Sequence, residues 1–214
     1  MKGANEIAYN YIKTRILNGT YLPAQRLVEA RLSREVGVSR NTLKKSLLLL
    51  QQEKLISLEG IKGATICSLS IEEVLDYYEV REALEMLIAS HAAELINDRE
   101  ILKLKKLVEK MEVYVKQHQY EEYSRTNREY HAIIYAASKK IIAVEMITGI
   151  KNQLNRYIIR TMLVPGRADE SLGEHRDILK ALEKHDSKMA QEKISLHIRH
   201  VAETIRKYHT LLFG

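Results

Sequence analysis

The chain has 214 residues, 45% hydrophobic and 29% charged, a composition that excludes a disordered chain and fits one or two globular domains. Two prolines and nine glycines leave few helix breakers, so a mostly helical fold is favoured. The single cysteine excludes an intramolecular disulfide and a multi-cysteine zinc site. Because neither an apolar signal segment nor a membrane-length apolar run is present, we expect a cytoplasmic protein with no membrane partner.

The positive charge is confined to the first third of the chain. Residues 1–69 hold 11 Lys/Arg against 5 Asp/Glu, which accounts for the whole net charge of +6, and the remaining 145 residues hold 23 of each sign. This asymmetry predicts a polyanion-binding domain over residues 1–69 and an electroneutral domain over residues 70–214.

The first domain is predicted to contain a helix-turn-helix followed by a β-hairpin. Gly37 suits a tight corner between two helices because glycine adopts positive φ, and Ser39 is a good N-cap for the helix that follows. Gly60 and Gly63 supply the turn between two short strands. The apolar spacing sets the three helices at about residues 5–18, 27–36 and 39–53.

The start of the third helix carries hydrogen-bond donors. Ser39, Arg40, Asn41 and Lys44 are residue types that donate to phosphates and to base edges in DNA. Together with the local charge, they predict DNA binding. The alternative is a small helical domain whose basic residues only face solvent.

This segment resembles the winged helix-turn-helix of GntR-superfamily bacterial repressors over nearly all of residues 5–67. The resemblance implies that Arg40 and Lys44 contact bases or phosphates in the major groove. It also implies that the hairpin tip, with Lys62 and Gly63, reaches the minor groove. The matching segments are residues 27–29, 37–44, 47–50, 53–56 and 63–64.

The second domain shows only helical periodicity, which predicts an all-helical antiparallel bundle. A capping-box pattern at Ser70 opens its first helix, which runs to about Ile96. The later helices are predicted at about residues 98–118, 120–138, 141–162, 169–184 and 187–210.

Three histidines of this domain lie within the apolar stripes of three different predicted helices: His131, His175 and His197. A bundle that buries all three stripes would bring the imidazoles together around one divalent cation. Asn127, one turn before His131, projects from the same helical face. The alternative is that each histidine is a separate core residue satisfied by a neighbour.

Residues 70–208 resemble the FCD effector domain of the FadR-like branch of the superfamily. In members with a metal, an Asp or Asn four residues before the first histidine joins three histidines. The resemblance therefore implies a divalent metal site, for zinc or nickel, with Asn127 in place of the commoner Asp. The matching segments are residues 78–81, 84–85, 130–131, 174–179 and 196–198.

Three arginines of the second domain are candidates for anchoring an anionic effector: Arg81, Arg156 and Arg160. The alternative for Arg81 is an ordinary ion pair within the helix, with Glu85 one turn away. Family analogy implies that the effector is a small carboxylate.

The sequence as a whole predicts a bacterial transcriptional regulator, most readily a repressor, that binds a pseudo-palindromic double-stranded DNA operator as a homodimer. We do not expect an enzyme, because no HExxH motif and no placed general base accompany the histidines. Two alternatives stay open: a metal-dependent hydrolase fused to a DNA-binding module, and a non-specific DNA-binding protein.

Overall fold

The computed structural model describes residues 3–58 and 63–213. Two compact units divide the chain: Met1–Ser70 with Asn152–Arg156, and Ile71–Lys151 with Tyr157–Gly214. The elements are α1 (Ala4–Leu17), β1 (Arg26–Leu27), α2 (Glu29–Val36), α3 (Arg40–Gln52), β2 (Ile56–Leu58), β3 (Ala64–Ile66), α4 (Ile71–Leu95), α5 (Asp98–Lys116), α6 (Tyr120–Ser138), α7 (Ile141–Thr161), α8 (Arg167–Glu183) and α9 (Ser187–Phe213).

The helix-turn-helix of the first unit has the predicted corner. Gly37 ends α2 in the left-handed region with φ 73°, and the Ser33 hydroxyl donates to the carbonyl of Val38 at 2.5 Å. The Ser39 side chain accepts a hydrogen bond from the amide of Thr42 at 3.2 Å, so it caps α3 as expected. These contacts leave the first turn of α3 at the surface.

The sheet of this unit has three antiparallel strands in the order β1-β3-β2. The hairpin strands β2 and β3 confirm the predicted wing, with Ile56 opposite Ile66. The predicted second helix was wrong at its start, because Leu27 lies in β1 and pairs with Ala64. Burial of Leu27 in the core favours this added strand over another helical turn.

The second unit is the predicted helical bundle. Helix α4 packs against α9 and α6, α5 packs against α6 and α8, and α8 packs against α9. A capping box fixes the start of α5, since the Asn97 side chain accepts from the amide of Glu100 and the Glu100 carboxylate accepts from the amide of Asn97. The core is built from aliphatic side chains and tyrosines, which include Ile88, Leu104 and Tyr130.

Candidate functional site

The bundle brings the three predicted histidines together. His131 on α6, His175 on α8 and His197 on α9 are all buried, and one ring nitrogen from each lies within 4.8 Å of the other two. The Nε2 atoms of His131 and His175 are 3.3 Å apart. The imidazoles are thus one cluster and not three separate core residues.

Hydrogen bonds at Nδ1 orient two of these rings. His175 Nδ1 lies 2.6 Å from the carbonyl oxygen of Ser171, and His197 Nδ1 lies 2.6 Å from Oε2 of Glu174. A carbonyl or a carboxylate oxygen only accepts, so each Nδ1 carries the proton and each Nε2 keeps its lone pair. This is the tautomer of a metal-ligating histidine whose other nitrogen is held by an outer partner.

Asn127 is the fourth residue of the predicted metal site. It lies one helical turn before His131 on α6, and its buried Oδ1 has no hydrogen-bond partner among the described residues. A buried oxygen without a donor is costly, and here the neighbouring cluster also presents nitrogen lone pairs. These electron-pair donors suit a divalent cation, which oxygen and imidazole ligands bind readily.

Burial keeps the imidazoles neutral. Desolvation lowers the pKa of His131 well below its ordinary value, and it lowers the pKa of His175 to about 3. The pKa of His197 is also lowered by burial, although its hydrogen bond to Glu174 opposes the shift. Neutral imidazole is the form that ligates a metal.

The predicted effector arginine Arg81 lies in a buried polar network on α4. Its Nε donates to Glu85 Oε1 at 2.9 Å, and the Tyr135 hydroxyl donates to the same oxygen at 2.7 Å. The other carboxylate oxygen, Glu85 Oε2, lies 3.8 Å from Nδ1 of His131. The structure therefore places Arg81 in a buried ion pair beside the histidine cluster.

The other two predicted arginines are placed differently. Arg160 on α7 donates from Nη1 to the carbonyl of Leu212, near the end of α9. The side chain of Arg156 lies outside the described part of the structure.

Four of the predicted DNA-binding residues are exposed on the first unit. Arg40, Asn41 and Lys44 are exposed on the first turns of α3, beside the cap residue Ser39. Gly63 precedes β3 with φ 83°, a conformation that suits glycine in a tight turn. Lys62 lies outside the described residues.

Comparison with known families agrees with both units. Residues 5–66 match the family described as bacterial regulatory proteins, gntR family, and residues 76–200 match the FCD domain. The chain belongs to the GntR family and carries an FCD domain. It is therefore a transcriptional regulator of the helix-turn-helix type, as the sequence predicted.

Relatives that match this GntR-family chain over most of its length are named as transcriptional regulators. The HTH-type transcriptional regulator YdhC of Bacillus subtilis is 26% identical over 92% of this chain and 89% of its own. The HTH-type transcriptional repressor RspR of Escherichia coli is 20% identical over 95% of this chain and 89% of its own. The solved structure of E. coli McbR/YncC shares the fold, with a TM-score of 0.82 and 20% identity over 97% of this chain and all of its own.

Two residues of this GntR-family site escaped the sequence analysis: Glu174 and Arg167. Glu174 contacts His197 and also His200, whose Nδ1 lies 2.7 Å from Oε1. Arg167, one of the largest buried side chains, forms two hydrogen bonds with the Glu174 carboxylate. Their seven-residue spacing on α8 is the signal that indicates a shared helical face.

A cavity of about 620 Å³ borders these residues on the surface of α8 and α9. Arg167, Glu174 and His200 line it. Its volume is within the range of small-molecule sites.

Among the described residues, no helix is both long and apolar enough to cross a membrane.

The buried histidines predict that the metal-free protein loses stability in acid. An unfolded histidine binds a proton below about pH 6.5, whereas folded His175 does so only near its pKa of about 3. The unfolded chain therefore binds more protons in this window. Stability is fully present above about pH 6.5 and falls as the pH is lowered through the window.

Thermal unfolding of chelator-treated protein across this pH range measures the effect. His175→Phe should flatten the pH dependence, because the phenyl ring binds no proton in either state. Equal slopes in both proteins would contradict neutral burial of His175.

Proposed function

We propose that this GntR-family chain regulates transcription in the bacterial cytoplasm by binding an operator as a homodimer. In the proposed division of labour, residues 1–69 bind DNA, and residues 70–214 bind a divalent metal and a small carboxylate effector. The observation that carries the proposal is the convergence of three buried, neutral imidazoles, together with the buried oxygen of Asn127, one helical turn before His131, which has no hydrogen-bond partner among the described residues. That site lies in the FCD domain of a chain whose other unit is a helix-turn-helix.

In this proposal His131, His175, His197 and Asn127 hold the metal, which is zinc or nickel. A bound divalent cation supplies Lewis acidity and positions open to an effector carboxylate or hydroxyl. The residues around it bind and orient the effector. Arg81, in an ion pair with Glu85 beside the cluster, is one candidate for an anion-binding residue, and Arg156 and Arg160 are the other two.

The regulatory role is favoured over a hydrolase because the relatives found along the chain are transcriptional regulators. The function of the site is then to bind an effector, and the free energy of binding biases the affinity for DNA. A non-specific DNA-binding protein would need no such site in a separate domain.

Specific operator recognition is tested at Arg40. Arg40→Ala should weaken binding to a site selected from random oligonucleotides by about 1–3 kcal/mol, with a smaller loss on unselected DNA, because a base contact is lost as well as a charge. Fluorescence anisotropy at one fixed salt concentration measures both affinities. Arg125→Ala, which removes one exposed charge on α6, is the matched control. An equal loss on both DNAs would reduce Arg40 to a phosphate contact.

Metal binding is tested at His131. Protein loaded with zinc or nickel should retain a stoichiometric ion in elemental analysis, and His131→Ala should lose it because the cluster then lacks one of its three imidazoles. His91→Ala, on the surface of α4, should retain the ion. Unchanged metal content in His131→Ala would refute the site. Metal-dependent ester hydrolysis abolished by the same change would support the hydrolase instead.

The homodimer is supported by an apolar stripe on α4. Val80, Leu87 and Leu95 are exposed by 50%, 43% and 53%, and their spacing of seven and eight residues places them on one helical face. Leu87→Glu should convert the dimer to a monomer in sedimentation, because a charge in an apolar interface is costly. Leu102→Glu, at a position on α5 that is 53% exposed, is the control. A dimer that survives Leu87→Glu would place the interface elsewhere.

A further inference from the structure

Both oxygens of the Glu174 carboxylate accept hydrogen bonds from histidines, one inside the cluster and one outside it. Oε2 accepts from His197 Nδ1 at 2.6 Å, and Oε1 accepts from His200 Nδ1 at 2.7 Å. His197 is buried within the cluster, whereas the His200 side chain is 40% exposed at the cavity of about 620 Å³. Glu174 thus joins a candidate metal ligand to the wall of an open cavity.

Arg167 holds this carboxylate in place. Nη1 donates to Oε1 at 3.1 Å and Nη2 donates to Oε2 at 2.9 Å, which is the two-pronged geometry that fixes the plane of a carboxylate. The Arg167 side chain is only 1% exposed, so the pair is shielded from solvent. Each carboxylate oxygen of Glu174 thus accepts from both Arg167 and a histidine Nδ1.

We propose that Glu174 is a positioning residue of the metal centre: held by Arg167, it fixes the orientation and tautomer of His197. The inference rests on the proposed metal site and adds the group that prepares one of its ligands. Glu174 does not need to touch the metal, because both of its oxygens are already engaged.

The three histidines differ in what holds Nδ1, and this difference singles out His197. His175 is held by the neutral carbonyl of Ser171, whereas Nδ1 of His131 is buried without a hydrogen-bond partner among the described residues. Among the described residues, only His197 of the three has a carboxylate oxygen at hydrogen-bond distance from Nδ1. A charge-assisted bond is stronger than a neutral one and raises the basicity of the ring. Since Arg167 offsets the charge of Glu174, the main contribution of Glu174 is to orient the His197 ring.

Zinc affinity of the full-length protein, measured by competition with a chromophoric chelator, tests this role. Glu174→Ala should weaken zinc binding by about 10–100-fold, the usual cost of losing an outer partner of a ligand. Glu174→Gln should cost less, because its amide oxygen still accepts the Nδ1 proton of His197. Glu170→Gln should leave the affinity unchanged, although Glu170 lies one turn earlier on α8 and lines the same cavity.

A second measurement uses the unchanged protein, because Glu174→Ala leaves Arg167 buried without its carboxylate and can unfold the chain. Long-range proton–nitrogen NMR spectra of the metal-free protein should show His197 protonated at Nδ1 and not at Nε2. The opposite tautomer would overturn the proposal without any variant.

The outcomes separate the two claims. Unchanged protein that binds no zinc would refute the metal centre and the role of Glu174 with it. Unchanged protein that binds zinc, together with a folded Glu174→Ala protein of equal affinity, would refute the role of Glu174 alone. Weakened binding in Glu174→Ala, partial loss in Glu174→Gln and no change in Glu170→Gln would support it.

Discussion

The candidate site depends on the hydrogen bonds that hold histidine Nδ1 atoms from outside the cluster. A buried imidazole must satisfy one donor and one acceptor, and the carbonyl of Ser171 and the carboxylate of Glu174 take the donor of His175 and of His197. One nitrogen of each imidazole lies within 4.8 Å of the other two, and the buried side-chain oxygen of Asn127, one helical turn before His131, has no hydrogen-bond partner among the described residues. A divalent cation is the simplest partner for such a set, because it accepts electron pairs from every member at once.

The bundle makes this arrangement possible by placing each histidine on a different helix. The histidines come from α6, α8 and α9, and α4 carries the buried pair of Arg81 and Glu85 beside them. Binding of a metal or an effector at this site would therefore act on four packed helices and not on a loop. In the other unit, the exposed turn of α3 is held by the Gly37 corner and the Ser39 cap, which leaves its donors at the surface. The two units thus separate the proposed sensing of an effector from the reading of DNA.

Local rules were sufficient for most of the fold and for the three histidines of the cluster. Glycine geometry, capping and apolar periodicity predicted the helix-turn-helix, the wing and the helices of the bundle, and the apolar stripes identified His131, His175 and His197. The strand at Leu27 was not predicted, because two residues carry no periodicity and the pairing with Ala64 depends on tertiary structure. The buried ion pair between Arg167 and Glu174 was also not predicted. Two opposite charges seven residues apart on a helix are typical of a solvent-exposed face, and only the structure shows that this pair is buried.

Anomalous diffraction from crystals of the full-length protein, grown with zinc and recorded on both sides of the zinc absorption edge, will show whether the histidine cluster holds a metal ion. We expect one strong peak per chain, bonded to the Nε2 atoms of His131, His175 and His197 and to the side-chain oxygen of Asn127. A cluster without a peak, or with imidazoles turned so that their Nε2 atoms point away from a common centre, would contradict it.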